Sequence, residues 1–223
     1  MIIVHHLNNS RSQRILWLLE ELGLDYEIKK YERDAKTMLA PPELRAIHPL
    51  GKSPVIEDNG TMVAESGAII EYLIERYGKG KFIPAAGTPE KLRYTYFMHY
   101  AEGSAMTPLL MKLVFDKVAS SPMPFFAKPI AKGIAHKVIS SYIMPQIVQH
   151  LLYLESELAR RDWFAGDELT GADFQVTVVL EAASARGGLG EQYPKLNAYL
   201  KRVHARAAYQ RGLERGGPYA LIK

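Results

Sequence analysis

Residues 53–78 read "SPVIEDNGTMVAESGAIIEYLIERYG". Asn59-Gly60 lies between two short runs rich in β-formers. Both residues tolerate the positive φ angles of a type I′ turn, so the spacing predicts two antiparallel strands. Directly afterwards Ile69, Ile70, Leu73, Ile74 and Tyr77 recur at helical spacing, and Gly78 supplies the stop. A hairpin that runs straight into an amphipathic helix is one half of an α/β unit. The other half is legible upstream. Ile2–Leu7 reads as a strand. From Arg11 to Leu22 the positions Ile15, Leu18, Leu19 and Leu22 form a helix face closed by Gly23. "YEIKKY" (26–31) is a second strand, and "PPELRAIH" (41–48) is a short helix entered through proline. The predicted order is β-α-β-α-β-β-α.

Strand-like alternation ends there. "GKGKFIPAAGTPE" (78–90) has the composition of a linker, and Thr88-Pro89-Glu90 is an N-cap followed by proline at the first helical position. A long helix is predicted to about Val118. "SSPMPFFAKP" (120–129) interrupts the pattern. A second long helix runs from about Ile130 to Arg160 with a kink at Pro145, and further helices fit 170–186 and 194–210. The organisation is an α/β domain over residues 1–80, a linker at 79–87 and an all-helical domain at 88–223, with no internal repeat.

The 223 residues suffice for two small domains with separate cores, and 48% hydrophobic with 23% charged residues is ordinary for a globular protein. No apolar run reaches the roughly 18 residues of a membrane-spanning helix, and the N-terminus lacks a basic leader and long apolar core. A cytoplasmic location is the expectation. Cysteine is absent, which excludes disulfides, Cys-based zinc sites, CxxC redox centres and a cysteine nucleophile. Any sulfur chemistry must use sulfur carried by a ligand. The net charge of +4 is uneven: residues 1–80 carry 10 Lys/Arg against 12 Asp/Glu, the remainder 18 against 12. The basic tail "KRVHARAAYQRGLERGG" has Ala, Val and Tyr at helical spacing and reads as a docked helix, so no nucleic-acid partner is expected.

Four features of the first domain carry chemistry. Ser10 sits at a strand-to-helix turn, where unpaired N–H groups and the helix dipole favour an anion. Its hydroxyl either caps the helix or meets a thiolate or oxyanion. In "HPLGKSPVIED" (48–58), a cis bond at Ser53-Pro54 would turn the Ser53 backbone outward as an edge for a peptide-like ligand. At "AESGAI" (64–69) the N–H groups and hydroxyl of Ser66 suit a carboxylate and Glu65 suits an ammonium, together the zwitterionic end of an amino acid. Lys52 is a cation beside the same edge. Metal binding by His5, His6 and His48 is disfavoured, because adjacent strand residues face opposite sides.

In this order, on this pattern of elements, the four features resemble the glutathione transferase family over essentially the whole chain. The resemblance rests on Ser10…Arg14 as S-x-x-x-R, "HPLGKSPVIED", "ESGAIIEYL" and "WFAGDELTGADF" (163–174). In the last block Thr170-Gly171-Ala172-Asp173 has capping-box spacing with Asp in place of Glu/Gln, and is assigned to folding. The resemblance implies an α/β thioredoxin-like N-terminal domain that binds glutathione, an all-α C-terminal domain that holds an electrophile, and a homodimer. Within the family the chain looks like the serine-type, theta-like branch, closest to a fungal and bacterial subgroup with "SRS" or "SRA" at this turn. No tyrosine occupies residues 1–25. His48 stands where many members have Asn.

The implied chemistry is conjugation of the glutathione thiolate to a hydrophobic electrophile. Ser10 would stabilise the thiolate, with Arg11 and Ser12 as reserves, and would not act as a covalent nucleophile. Lys52, Ser53, Pro54, Glu65 and Ser66 would bind glutathione, the co-substrate. Tyr100, Met106, Met111, Phe115 and Phe125 are the candidate walls of the electrophile pocket, and no metal is expected. A glutathione-dependent peroxidase acting on organic hydroperoxides, or a binding module without turnover, would use the same site.

Overall fold

The apolar run of Ile2–Leu7 (β1) is almost continuous, the pattern of a strand covered on both faces, and it becomes the centre of the sheet. The computed structural model describes residues 1–221; the last two residues of the expected helical domain, 222 and 223, lie outside the described residues. Around β1 stand β2 (Tyr26–Tyr31), β3 (Val55–Asp58) and β4 (Thr61–Ala64) in the order β2-β1-β3-β4. β1 runs parallel to β2, with Ile2 opposite Tyr26 and Leu7 opposite Tyr31. It runs antiparallel to β3, with His5 opposite Val55. β3 and β4 form the predicted hairpin, Asp58 opposite Thr61, across Asn59 (φ 49°) and Gly60 (φ 84°). The positive angles at both turn positions are those the Asn-Gly pair suits best. Helices α1 (Gln13–Leu22), α2 (Pro42–Ile47) and α3 (Ser66–Tyr77) complete the thioredoxin-like unit.

The helical unit contains α4 (Pro89–Tyr100), α5 (Met106–Ser120), α6 (Lys128–Val138), α7 (Met144–Leu158), α8 (Gly171–Ala182), α9 (Pro194–His204) and α10 (Ala207–Gly216). Three of the four helices predicted here are present, each widened by a π turn, at Ala101–Ala105, Ile139–Ile143 and Ala183–Gly187. The second of these explains the expected kink. Pro145 has no N–H for the carbonyl four residues earlier and its ring crowds that carbonyl. The helix opens by one residue just before it. Among the described residues no helix is long and apolar enough to cross a membrane.

The stretch 194–210, predicted as one helix, is two. Arg206 is extended (φ −70°, ψ 130°), and its guanidinium donates to Glu21 on α1 (Nη2 to Oε2, 2.9 Å). The break lets α10 lie along α1, where Arg211 and Arg215 both reach Glu20 (2.7 and 3.0 Å). An ion-pair row to another element, which no local periodicity encodes, overrides the helical pattern. Gly212 is the point of closest approach: a Cβ there would lie 3.0 Å from the Trp17 backbone nitrogen. Gly212→Ala therefore pushes two buried helices apart, a loss of about 1–3 kcal/mol; an unchanged urea midpoint would contradict this packing.

The core joins both units. Trp17, fully buried, packs tilted against Phe174 of α8 (4.3 Å) and meets Tyr209 of α10 edge-on (5.5 Å). The helical domain thereby holds α1 from behind and fixes the turn that precedes it.

Candidate active site

That turn is built by hydroxyls. After β1 the chain passes through Asn9 in the left-handed region (φ 50°), a conformation Asn accepts. Ser10-Arg11-Ser12 then form a turn, so α1 begins two residues later than its apolar spacing suggests. The Ser12 N–H donates to Ser10 Oγ (3.2 Å), and the two hydroxyls are 2.6 Å apart. Ser10 also donates to Ser53 Oγ (3.3 Å). Ser53 Oγ in turn donates to the His5 carbonyl (2.8 Å) and accepts from Leu7 N–H (3.2 Å). Ser12 Oγ meets His6 Nδ1 at 2.8 Å. Burial, with Lys30 nearby as the next cause, brings the His6 imidazole down to about 4, so the ring is neutral. His5, on the opposite face of β1, pairs with the Tyr31 hydroxyl (2.9 Å).

Beside this cluster is a cleft of about 280 Å³ lined by Arg11, His48, Leu50, Lys52, Ser53, Pro54, Ala64, Glu65, Ser66, Gly67 and Glu102. It collects all five residues predicted to hold glutathione. The Ser53–Pro54 bond is cis. Among the described residues no internal hydrogen bond uses the Ser53 backbone N–H or C=O. Glu65 adopts φ 71°, ψ 127°, an outlier for a non-glycine residue of the kind that concentrates at ligand sites. That conformation ends β4 and starts α3, leaving Ser66 buried at a helix N-terminus, whose unpaired N–H groups favour an anion.

Ser10, 8% exposed, lies just behind this lining, against Ser53. Ser12 is fully buried behind Ser10. Arg11 reaches the cleft itself, where its Nε donates to Glu102 (2.9 Å). Arg14, the other end of the S-x-x-x-R spacing, points away: fully buried, it pairs with Glu102 (3.0 Å) and donates to Gln175 of α8, joining the two domains.

None of the candidate electrophile walls lines this cleft. Tyr100 is buried, bonded to His150 (2.7 Å) and packed among Tyr96, Phe97 and Tyr153. Met106 is buried in the same core, Met111 and Phe115 are half-buried, and Phe125 is 88% exposed between α5 and α6.

The description "Glutathione S-transferase, N-terminal domain" fits residues 1–75, and "Glutathione S-transferase, C-terminal domain" fits residues 131–202. The chain belongs to the glutathione S-transferase family. Glutathione S-transferase 1 of Saccharomyces cerevisiae is 34% identical over 96% of this chain and 95% of its own. A crystal structure of a glutathione S-transferase from Actinobacillus pleuropneumoniae, also 34% identical, superposes with a TM-score of 0.82 over 99% of this chain and 94% of that one. A theta-class glutathione S-transferase from Xanthomonas axonopodis pv. citri, with glutathione bound, shares the fold (TM-score 0.72, 23% identity, 95% and 96% covered). This glutathione S-transferase is accordingly an enzyme of the transferase class.

Sequence reading did not find Glu102, which enters the cleft from the π turn after α4, nor the contact between His6 and Ser12, the reserve hydroxyl, behind Ser10. For His6 one signal existed: two consecutive histidines in a strand that is otherwise apolar require a partner on each face.

Proposed function

We propose that the chain is a serine-type, theta-like glutathione transferase that joins the glutathione sulfur to a hydrophobic electrophile. The observation that supports this reading is a single cleft that brings Lys52, Ser53, Pro54, Glu65 and Ser66 together next to Ser10. Ser10 donates its hydroxyl proton to the bound sulfur and holds it as thiolate. The backbone of Ser53 pairs with the cysteinyl unit by strand addition. Ser66, at the start of α3, receives the γ-glutamyl carboxylate, and Glu65 takes its ammonium. Lys52 meets the glycyl carboxylate. Met111 and Phe115, the half-buried members of the predicted apolar set, border the second substrate. A homodimer in the cytoplasm is part of the same proposal.

A crystal soaked with glutathione tests it directly. The sulfur should lie about 3 Å from Ser10 Oγ, a normal hydrogen-bond reach. A sulfur far from residue 10 overturns the reading. Independently, Glu65→Gln removes the charge that faces the ammonium and should weaken glutathione about tenfold in calorimetry, the size of one lost charge-assisted hydrogen bond. Undiminished affinity would remove Glu65 from the site.

A further inference from the structure

Between α5 and α6 the chain turns through residues 121–127, "SPMPFFA", and presents two aromatic rings to solvent. Phe125 and Phe126 are 88% and 65% exposed. They meet each other edge-on (5.7 Å), and neither belongs to the core or to the residues packed against it. Ile130 and Ile134 follow at four-residue spacing, so they share one face of α6, and both are exposed. Of the eleven residues of α6 only Ala135 is buried. Single apolar side chains on a surface are ordinary, but four this large within ten residues make a contact surface.

The charge around the loop has one sign. Lys117 lies in the last turn of α5, Lys128 opens α6 and Lys132 follows one turn on, all of them exposed. From Lys117 to Leu154 the sequence contains no Asp or Glu. Among the described residues the only lysine in an ion pair is Lys112, with Asp116.

These charges choose between occupants. A second copy related by a twofold axis would set the patch against itself, lysine facing lysine with no acid to answer. A folded partner needs an extended area on each side, about 800 Å², and the tip of a helical hairpin is narrow and convex. A fluid anionic surface needs neither. Aromatic rings enter the boundary between headgroups and acyl chains while lysines stay with the phosphates. Pro122, Pro124 and Pro129 fix backbone angles in and beside the loop, which lowers the cost of ordering it on contact. We propose that the loop between α5 and α6 docks on an anionic lipid surface, with Phe125 and Phe126 inserted and Lys117, Lys128 and Lys132 against the headgroups. The docking uses no residue of the glutathione cleft.

Co-sedimentation of the full chain with lipid vesicles tests this. The protein should pellet with phosphatidylcholine mixed with phosphatidylserine and stay in solution with phosphatidylcholine alone, and added salt should release it. Phe125→Ser combined with Phe126→Ser should weaken binding about thirtyfold, the loss of two partly inserted rings. Lys128→Gln and Lys132→Gln should each weaken it about fivefold. All four side chains are exposed, so the urea midpoint should stay in place and the loss belongs to the surface, not to the fold. Phe125→Trp measures insertion: its emission should be quenched by brominated acyl chains, which cannot reach the buried Trp17 and Trp163. No pelleting with either vesicle, equal pelleting with both, or an unquenched Phe125→Trp protein overturns the proposal. So does a double phenylalanine variant that binds like the wild type. A double variant that instead sediments in ultracentrifugation as a smaller species than the wild type assigns the loop to a contact between copies, and also overturns it.

Discussion

Replacing Ser10 by alanine should move the apparent pKa of conjugation from about 6.5 to about 8.5, the value of an unassisted thiol. The reasoning is a thiolate count. A thiol of pKa near 8.5 is about 3% ionised at pH 7, and a two-unit depression makes the thiolate the majority, at about 2.7 kcal/mol of differential stabilisation. One hydroxyl donating to an anion is worth about 1.5–3 kcal/mol, which covers that amount. The sign of the pH dependence follows. Below pH 7 the wild-type sulfur is charged and that of the variant is not. Above pH 9 both are charged and the difference in ionisation closes. The less stabilised thiolate is intrinsically the better nucleophile, which recovers part of the loss. The net deficit should be about fivefold to tenfold at pH 6.5, close near about pH 7.5 and reverse above it. Glutathione affinity should change little, because Ser53 keeps its hydrogen bonds to His5 and Leu7 when its long bond to Ser10 is lost. A rate deficit of equal size at every pH would mean that Ser10 does something other than ionise the thiol.

The sheet and its three helices were legible because each obeys a local rule. Asn59-Gly60 accepts two positive φ angles, β1 is apolar enough to be central, and α3 repeats every three to four residues. That Lys52, Ser53, Pro54, Glu65 and Ser66 share one cleft was legible for a related reason: they lie at strand and helix ends, where chain direction alone brings them to one edge. What stayed hidden depends on partners distant in sequence. A π turn differs from an α turn by one residue in five, and the apolar spacing of the sequence around Glu102 is compatible with both. The break at Arg206 exists because Glu21 lies opposite, 185 positions away. Tyr100 and Phe125 have similar character in the sequence. Only the packing of α4 against α7 sends one into the core and leaves the other exposed.

The residue whose loss should destabilise the fold most is Asp173. Its carboxylate, fully buried, accepts from Phe164 N–H (3.0 Å), from Thr170 N–H (2.9 Å) and hydroxyl (3.1 Å), and from the Tyr199 hydroxyl (3.2 Å). It thus closes the N-terminus of α8 and ties α9 to it, and α8 is the helix against which Trp17 and Arg14 pack. Asp173→Ala strands two buried N–H groups at about 1–3 kcal/mol each and removes a helix cap worth about 1. The sum, about 3 kcal/mol or more, corresponds to a melting point lower by about 10 °C for a chain of this size. Asp173→Asn, which keeps one acceptor oxygen, should lose less. The pH dependence separates the charge from the hydrogen bonds. Burial, the largest cause, raises the Asp173 carboxyl to about 6 in spite of its donors. A native pKa above the unfolded one means that the folded state binds more protons between about pH 4 and 6. This group's contribution to stability therefore falls as pH rises through that window. The wild type should gain on Asp173→Asn as pH is lowered from 7 to 5. A gap that stays constant would show that the four donors cancel desolvation and that the carboxyl ionises at its ordinary pH, and one that narrows would place it lower still.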